Sequence, residues 1–167
     1  GGVVANTTGY IGYDSDSTGI ATVTGSDSQW NNSGNLRVGH FSSGTLTVEA
    51  GGLVSNTGGS LGYYSGSTGV ATVTGPDSQW NNSGNLYVGH SGSGTLTVEA
   101  GGVVANTSGN IGYAFGSTGI ATVTGSGSQW NSSGGLYVAR SGSGTLNVEA
   151  GGVVANTTGY IGDDSGS

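Results

Sequence analysis

Residues 1–19 read GGVVANTTGYIGYDSDSTG, and close copies of this stretch begin at residues 51, 101 and 151. A second stretch, SQWNNSGNL at 28–36, returns at 78 and, as SQWNSSGGL, at 128. The period is 50 residues without insertion or deletion, and a fixed period of this length indicates a repeat architecture. We predict one continuous unit over 1–167, made of the repeats 1–50, 51–100 and 101–150 and the partial repeat 151–167.

A shorter, 25-residue period lies within this repeat and places similar residues in columns. One column is asparagine throughout, at Asn6, Asn31, Asn56, Asn81, Asn106, Asn131 and Asn156. A column of large aliphatic residues contains Leu36, Leu61, Leu86, Ile111 and Leu136, and a column of valine contains Val48, Val73, Val98 and Val123. Threonine recurs at Thr22, Thr47, Thr72, Thr97 and Thr122. Composition bias alone would not keep such columns in register.

The composition excludes several classes of protein. Glycine, serine and threonine number 38, 25 and 20 of 167 residues, which is typical of disordered chains, but the regular columns favour an ordered fold. Arg37 and Arg140 are the only Lys or Arg residues against nine acids, so nucleic acid is not an expected partner. The absence of cysteine excludes disulfides and thiolate metal sites. No apolar run approaches the roughly 18 residues of a membrane helix, so we expect no membrane insertion of this segment.

The 25-residue unit predicts an all-β fold of parallel, stacked coils. Within one unit, Leu36–Val38, Thr45–Glu49 and Leu53–Asn56 read as short strands, separated by clusters of glycine, serine and asparagine. Two or three short strands per turn, stacked on the next turn, describe a parallel β-solenoid. We predict a parallel β-helix of about 25 residues per coil; the general right-handed bias of parallel crossovers agrees with the handedness that the family resemblance given below implies. The 50-residue period predicts coils that alternate in pairs.

The columns then acquire structural roles. We expect the aliphatic and valine columns to face the interior, the asparagine column to form a hydrogen-bonded ladder, and the threonine column to form a flat outer face. Trp30, Trp80 and Trp130 occur with small alanines in alternate coils, which we interpret as volume compensation in a narrow core. An aromatic sugar-binding row and an outward interface are the alternatives for these tryptophans.

Few residues suggest chemistry. Glu49, Glu99 and Glu149 share a column two coils apart, which we interpret as solubilising charge rather than a catalytic cleft. Asp14 and Asp16 form an acidic turn, and Asp163-Asp164 lies at the matching place, but the intervening repeats lack these acids. We therefore expect solvated turns, with calcium as the minority alternative. We predict no catalytic residue, no metal site and no cofactor.

Two further residue types need an interpretation. The 25-residue step places His40 and His90 in a column with Ser65, Phe115 and Arg140, which predicts an exposed turn. Asn-x-Ser/Thr glycosylation sequences occur at Asn6, Asn31, Asn81, Asn106, Asn131 and Asn156. They fall on the asparagine column, so we expect most of them to be buried, with glycosylation as the minority alternative.

The repeat also resembles a known family. Leu86-x-Val88-Gly89, Gly94-Thr-Leu-Thr-Val98, Gly101-Gly102-x-Val104, Ile111-Gly112, Gly116-Ser117-x-Gly119, Ala121-Thr-Val-Thr-Gly125 and Ser128-x-Trp130 are similar to repeats of bacterial autotransporter (type V secretion) passenger domains. The same repeat class is shared with exosortase-sorted (PEP-CTERM) surface proteins. The resemblance covers the whole chain and implies a secreted or surface-displayed right-handed β-helix, often adhesive or structural.

Two classes of function follow from these observations. The first is a structural or adhesive extracellular β-solenoid, whose partner is another copy through axial stacking or lateral packing, because residues 1–17 match 151–167 in repeat phase. The second is a module that binds a surface polysaccharide or ice through the threonine face. We expect a secreted or cell-surface location, and we do not expect an enzyme.

Overall fold

A computed structural model describes residues 1–162 as an all-β solenoid of about six parallel coils that follow the 25-residue period. Each coil contributes one strand to each of three parallel sheets, so the predicted β-solenoid fold is confirmed. No helix of the described part is long and apolar enough to cross a membrane.

The three sheets run along the solenoid axis. Sheet 1 contains β1 (Val3–Asn6), β4 (Gln29–Asn32), β7 (Leu53–Asn56), β10 (Gln79–Asn82), β13 (Val103–Asn106), β16 (Gln129–Ser132) and β19 (Val153–Ala155). Sheet 2 contains β2 (Gly9–Ile11), β5 (Leu36–Val38), β8 (Gly59–Leu61), β11 (Leu86–Val88), β14 (Gly109–Ile111), β17 (Gly135–Val138) and β20 (Thr158–Ile161). Sheet 3 contains β3 (Thr18–Thr24), β6 (Ser43–Glu49), β9 (Thr68–Thr74), β12 (Ser93–Glu99), β15 (Thr118–Thr124) and β18 (Ser143–Glu149).

The turn between sheets 2 and 3 begins in the left-handed backbone region, at a residue that is glycine in every described coil except the one with Ala139, whose φ is 58°. Gly39 has a φ of 72°, in the left-handed region, and a Cβ there would lie 2.2 Å from the carbonyl oxygen of Thr68. Only glycine adopts this conformation without strain while allowing the backbone of the next coil to approach so closely. The chain therefore turns sharply at each of these corners.

The spacing between paired residues differs from sheet to sheet. In sheet 3, Thr18 pairs with Ser43 and Ser43 with Thr68, and this 25-residue step is constant along the sheet. In sheet 1 the step alternates between 26 and 24 residues, as Val3–Gln29 and Gln29–Leu53 show. In sheet 2 it alternates between 27 and 23.

The alternation follows from unequal turns. From sheet 3 to sheet 1, one coil uses residues 25–28 and the next uses 50–52, so the turn is one residue shorter. From sheet 1 to sheet 2, 33–35 alternates with 57–58. From sheet 2 to sheet 3, the long turn 12–17 alternates with the short turn 39–42, which restores the constant register of sheet 3.

The interior position predicted for Leu36, Leu61, Leu86, Ile111 and Leu136 is confirmed, since all five are buried, but the alternating register makes their predicted stacking in one column wrong. The observed interior row of sheet 2 is Ile11, Val38, Leu61, Val88, Ile111, Val138 and Ile161. Leu36, Leu86 and Leu136 are buried too, but each pairs with a glycine of the adjacent coils, as Leu86 does with Gly59 and Gly109. In sheet 3, Val48, Val73, Val98 and Val123 do form one continuous buried row.

The tryptophans lie in the interior, but their volume is compensated differently from our prediction. Trp80 and Trp130 are fully buried, and Trp30 in an outer coil is half-buried. Trp80 pairs with Val54, whereas a uniform 25-residue step would have paired it with the smaller Ser55. The missing volume is at Gly59, where a Cβ would lie 3.0 Å from the Trp80 ring and 2.8 Å from Leu86 Cδ1. Trp80 and Leu86 of one coil thus fill the space that Gly59 leaves in the preceding coil.

The asparagine ladder also follows the alternating register. It consists of Asn6, Asn32, Asn56, Asn82, Asn106 and Ser132, so the placement of Asn31, Asn81 and Asn131 in the ladder is wrong. Those three side chains lie on the outer face of sheet 1, and Asn156 in the last coil is exposed.

The ladder connects the polar and apolar parts of the core. In the middle coils, Asn56 Nδ2 donates to Asn82 Oδ1 at 2.6 Å, and Asn56 Oδ1 accepts from the Trp80 indole at 2.7 Å. Asn82 Nδ2 then donates to the carbonyl oxygen of Ala105, at 3.2 Å in the next coil. Each buried amide therefore satisfies groups in the coils on both sides of it.

A pair of glycine variants tests the packing. We expect Gly59→Ala to lower the free energy of unfolding by about 1–3 kcal/mol, because its methyl group would overlap Asn82, Leu86 and Trp80. The adjacent Gly58→Ala is the control, since its methyl group would meet only the movable end of Asn35 and the carbonyl oxygen of Asn85 at 3.6 Å. Denaturant unfolding followed by circular dichroism measures both; equal losses would contradict the interior role of Gly59.

A pair of asparagine variants tests the ladder. We expect Asn82→Ala to destabilise the fold by about 1–3 kcal/mol, because it leaves the Asn56 amide without its acceptor and removes the side-chain donor to the Ala105 carbonyl. Asn81→Ala, on the outer face, should stay within about 0.5 kcal/mol of the parent. Asn82→Ser should recover part of the loss, since Ser132 occupies the equivalent place. If thermal unfolding showed a larger loss of stability for Asn81→Ala than for Asn82→Ala, the alternating ladder would be contradicted and a uniform 25-residue ladder would be favoured.

Candidate functional site

The first candidate surface is the outer face of sheet 3. Thr22, Thr47, Thr72, Thr97 and Thr122 form one column in continuous register, which Asn147 extends. A neighbouring column alternates isoleucine or valine with threonine, from Ile20 to Thr145. The constant 25-residue step makes this face regular, but its side chains alternate in chemistry from coil to coil.

The glutamates alternate with threonine along the same face. Glu49 lies between Thr24 and Thr74, so successive glutamates are two coils, about 9.6 Å, apart. The structure shows no group of three or more His, Asp or Glu residues that could hold a metal ion within residues 1–162. Asp27 and Asp77 adopt left-handed φ values of 67° and 65° at a turn where Gly127 has 84°, which explains the exchange of aspartate for glycine. The turn at Asp163-Asp164 lies outside the described residues.

The second candidate surface is one that we did not predict. It lies on the outer face of sheet 2 and the turn that follows it, and it holds all eight tyrosines, both histidines and both arginines of the sequence. We call it the aromatic strip: Tyr10, Tyr13, Arg37, His40, Phe41, Tyr63, Tyr64, Tyr87, His90, Tyr113, Tyr137, Arg140 and Tyr160.

The centre of the aromatic strip is a column of rings stacked along the axis. Tyr13, His40 and Tyr63 stack with centroid distances of 5.2 and 5.4 Å and interplanar angles of 4° and 12°. The column continues through His90, 4.7 Å from Tyr63, to Tyr113, 5.3 Å farther on. One ring per coil thus forms a continuous stack through five coils.

Other rings flank this stack with their planes turned across it. On one side, Tyr10 meets His40 at 4.8 Å and 71°, and Tyr87 meets His90 at 4.9 Å and 75°. On the other side, Phe41 stacks on Tyr64 at 4.4 Å. Edge-to-face contacts of this kind are the favoured geometry of aromatic clusters, so the rings support one another.

Both arginines lie on tyrosine faces within the aromatic strip. The Arg37 guanidinium lies 4.1 Å from the centroid of Tyr63 and donates to the Tyr10 hydroxyl at 3.3 Å. The Arg140 guanidinium lies 5.1 Å from the ring of Tyr137 and 5.3 Å from that of Tyr113. Such cation–π contacts hold each cation against the surface.

The expectation of an exposed turn at the histidines is wrong. His40 is only 5% exposed, and His90 is half-buried. The physical reason is the 27/23 register of sheet 2, which places His40 between Tyr13 and Tyr63 and away from Ser65. The stack therefore buries both imidazole faces.

The environment lowers the pKa of both imidazoles. For His40, burial has the largest effect and the nearby Arg37 guanidinium adds to it, while the backbone carbonyl of Tyr13 opposes the shift. For His90, burial again lowers the pKa most, and the carbonyl of Tyr63 opposes it. Both rings are therefore neutral near pH 7.

The predicted glycosylation sequences divide into two groups. Asn6 and Asn106 belong to the ladder, whereas Asn31, Asn81 and Asn131 face outward and Asn156 is exposed, so the expectation that most of the six are buried is wrong. Two of the outward asparagines, Asn81 and Asn131, line shallow grooves on this face, together with serine and threonine of the adjacent turn.

The fold and its surfaces define a parallel β-solenoid repeat protein with an aromatic strip on one edge. A scan against known protein families finds no match to the sequence, and comparisons with curated proteins and with solved structures find none either. The sequence did contain a signal for the aromatic strip. Within each 50-residue repeat, every tyrosine, histidine and arginine falls at positions 10–14 or 37–41.

The pKa shifts give a prediction about pH. Arg37→Gln should raise the pKa of His40 toward its ordinary value, because it removes the neighbouring cation, while the pKa of His90 should change less.

Lowered imidazole pKa values mean that the unfolded chain binds more protons than the folded chain below about pH 6.5. Folding stability should therefore fall as the pH drops through that value. Proton NMR titration of the two imidazoles measures the shifts; ordinary pKa values in the parent would contradict the stacked, buried arrangement.

Proposed function

We propose that this chain is a structural or adhesive extracellular β-solenoid, a segment of a stalk or fibre that extends or stacks end to end into a filament. The observation that carries the proposal is the repetition of interior rows from coil to coil. Val54 and Val104 are fully buried by neighbouring coils, and Val4 belongs to the same interior row. Because each coil is completed by the coils next to it, such a row can continue through further coils.

The wider setting of the proposal rests on the resemblance and the composition. The repeat resembles autotransporter passenger domains and exosortase-sorted surface proteins, which supports a secreted or cell-surface location. The partner is another copy of the chain, by axial stacking or by lateral packing of the flat sheets. The proposal assigns the chain no catalysis, no cofactor and no nucleic-acid partner.

End-to-end stacking has a direct test. Concentrated parent protein should form filaments with an axial repeat of about 4.8 Å, visible by electron microscopy and fibre diffraction. Val4→Asp should abolish these filaments, because it places a charge in the interior row of the end coil. Val3→Asp is the matched control, since Val3 lies on the outer face of the same strand and is 65% exposed.

Circular dichroism verifies that both variants stay folded. The proposal is wrong if the parent remains monomeric at every concentration. It is equally wrong if the two variants impair assembly to the same extent.

The regular threonine columns of sheet 3 favour a second candidate function, binding to ice or to a surface polysaccharide. The alternation with valine, isoleucine and glutamate weakens a match to an ice lattice. A thermal hysteresis assay separates the two candidates: the stalk proposal expects no hysteresis, and a clear hysteresis gap that Thr72→Val reduces would favour the ice-binding function.

A further inference from the structure

We propose that the aromatic strip is a binding surface for a neutral, linear polysaccharide that lies along the solenoid axis. This inference goes beyond the proposed stalk function and does not depend on end-to-end stacking. It assigns a ligand to a surface different from the threonine face.

The fold itself does not require the aromatic strip. One outward column of sheet 2 holds a tyrosine in several coils: Tyr10, Tyr87 and Tyr137. In two other coils the same position holds Ser60 or Asn110. The core beneath is complete, since Leu61 and Ile111, the inward neighbours in the two coils with a small polar residue there, are fully buried. Because these outward positions tolerate small polar residues, packing does not explain why the tyrosines collect there.

The aromatic strip exposes a large apolar area to solvent. Tyr10, Tyr13, Phe41 and Tyr64 are each 41–52% exposed. Contiguous exposed rings on a polar protein mark a binding surface, and tyrosine offers an apolar ring face together with a hydroxyl. Sugars present the same combination, with C–H groups on the faces of the pyranose ring and hydroxyls at its edge.

The charges favour a neutral ligand. Arg37 and Arg140 form no ion pair within residues 1–162, so their outward N–H groups can donate to sugar hydroxyls and ring oxygens. However, the chain has a net charge of −7, and Asp14 and Asp16 lie in the turn that follows Tyr13. Two cations in this field do not hold a polyanion. The arginines therefore serve as hydrogen-bond donors fixed on tyrosine faces.

A buried acceptor without a partner provides an independent observation. Asn110 is 2% exposed, and within residues 1–162 its Oδ1 atom accepts no hydrogen bond. It lies beneath the aromatic strip, between Tyr87 and Tyr137 in register. Leaving a buried amide oxygen unpaired is costly, so a sugar hydroxyl that reached it as the neighbouring tyrosine rings shift would be bound favourably.

The axial spacing suits an extended chain. Successive coils are about 4.8 Å apart, which is close to the length of one sugar residue in an extended β-linked polysaccharide. Arg37 and Arg140 lie four coils apart, about 19 Å, so a chain of several sugar residues would contact both. Each sugar residue of such a polysaccharide would contact one coil of the solenoid.

The test uses cellohexaose and soluble hydroxyethyl cellulose as neutral probes, with polygalacturonate as the charged comparison. The variant Tyr10→Ser/Tyr87→Ser places in two coils the residue that the chain already has at Ser60. The matched control is Ile20→Thr/Ile120→Thr on sheet 3, which exchanges exposed apolar residues, 74% and 40% exposed, for the residue of the same column at Thr45 and Thr95.

Two measurements report on the site. Affinity electrophoresis in gels that contain the polymer gives the dissociation constants. Proton NMR follows the imidazole signals of His40 and His90, the only histidines, both of which lie in the aromatic strip. The indole signals of Trp80 and Trp130, which are fully buried, serve as the internal control because they should not move.

We expect the neutral probes to bind the parent and the threonine-face control equally and to shift both imidazole signals. The tyrosine variant should bind about tenfold more weakly while it keeps the circular dichroism spectrum of the folded parent. Polygalacturonate should bind weakly or not at all.

Three outcomes would overturn the proposal. They are the absence of binding to the neutral probes, equal binding by the tyrosine variant, and loss of binding in the threonine-face control. A change in sedimentation of the tyrosine variant without any glycan binding would overturn it in favour of a contact between copies of the chain.

Discussion

Each coil of this solenoid must complete its interior with side chains from the coils directly above and below it. A single 25-residue unit is too short to enclose a core of its own, so every interior row must continue from one coil to the next. Trp80 above Gly59 and the Asn56–Asn82 contact show the constraint in its apolar and polar forms. A single displaced residue would misalign the rows of a whole coil, which explains why the repeat tolerates no insertion.

The same constraint places the candidate binding surfaces. Sheet 3 keeps a constant register, so its outer columns form the regular threonine face. Sheet 2 alternates between two registers, and this alternation aligns Tyr63 of one coil with His40 and His90 of its neighbours. The aromatic strip therefore follows from the unequal turns. Because the turns before and after sheet 2 alternate in length, residues that are not 25 positions apart in the sequence become neighbours along the axis.

The sequence predicted the solenoid, the valine row and the threonine column, because sheet 3 follows the 25-residue step without deviation. It did not predict the rows of sheets 1 and 2, since the average step hides turns that alternate in length. Asn81 and Asn82 illustrate the difficulty: both are asparagine, adjacent in the chain, and only the register shows that Asn82 is the buried one. The 25-residue column that we predicted for His40 is wrong for the same reason, so the sequence analysis did not predict the aromatic strip.

Trans-hydrogen-bond scalar couplings in isotope-labelled protein test the alternating register most directly. The Gly89 amide should couple to the Leu61 carbonyl of the preceding coil, across a hydrogen bond of 3.0 Å. The Gly112 amide should couple to the Val88 carbonyl, across 2.9 Å, although this pair is closer together in the sequence than the first. Unequal sequence separations of this kind would confirm that parallel coils stack in two alternating registers. An equal separation for both amides would contradict the account, and with it the composition of the aromatic strip.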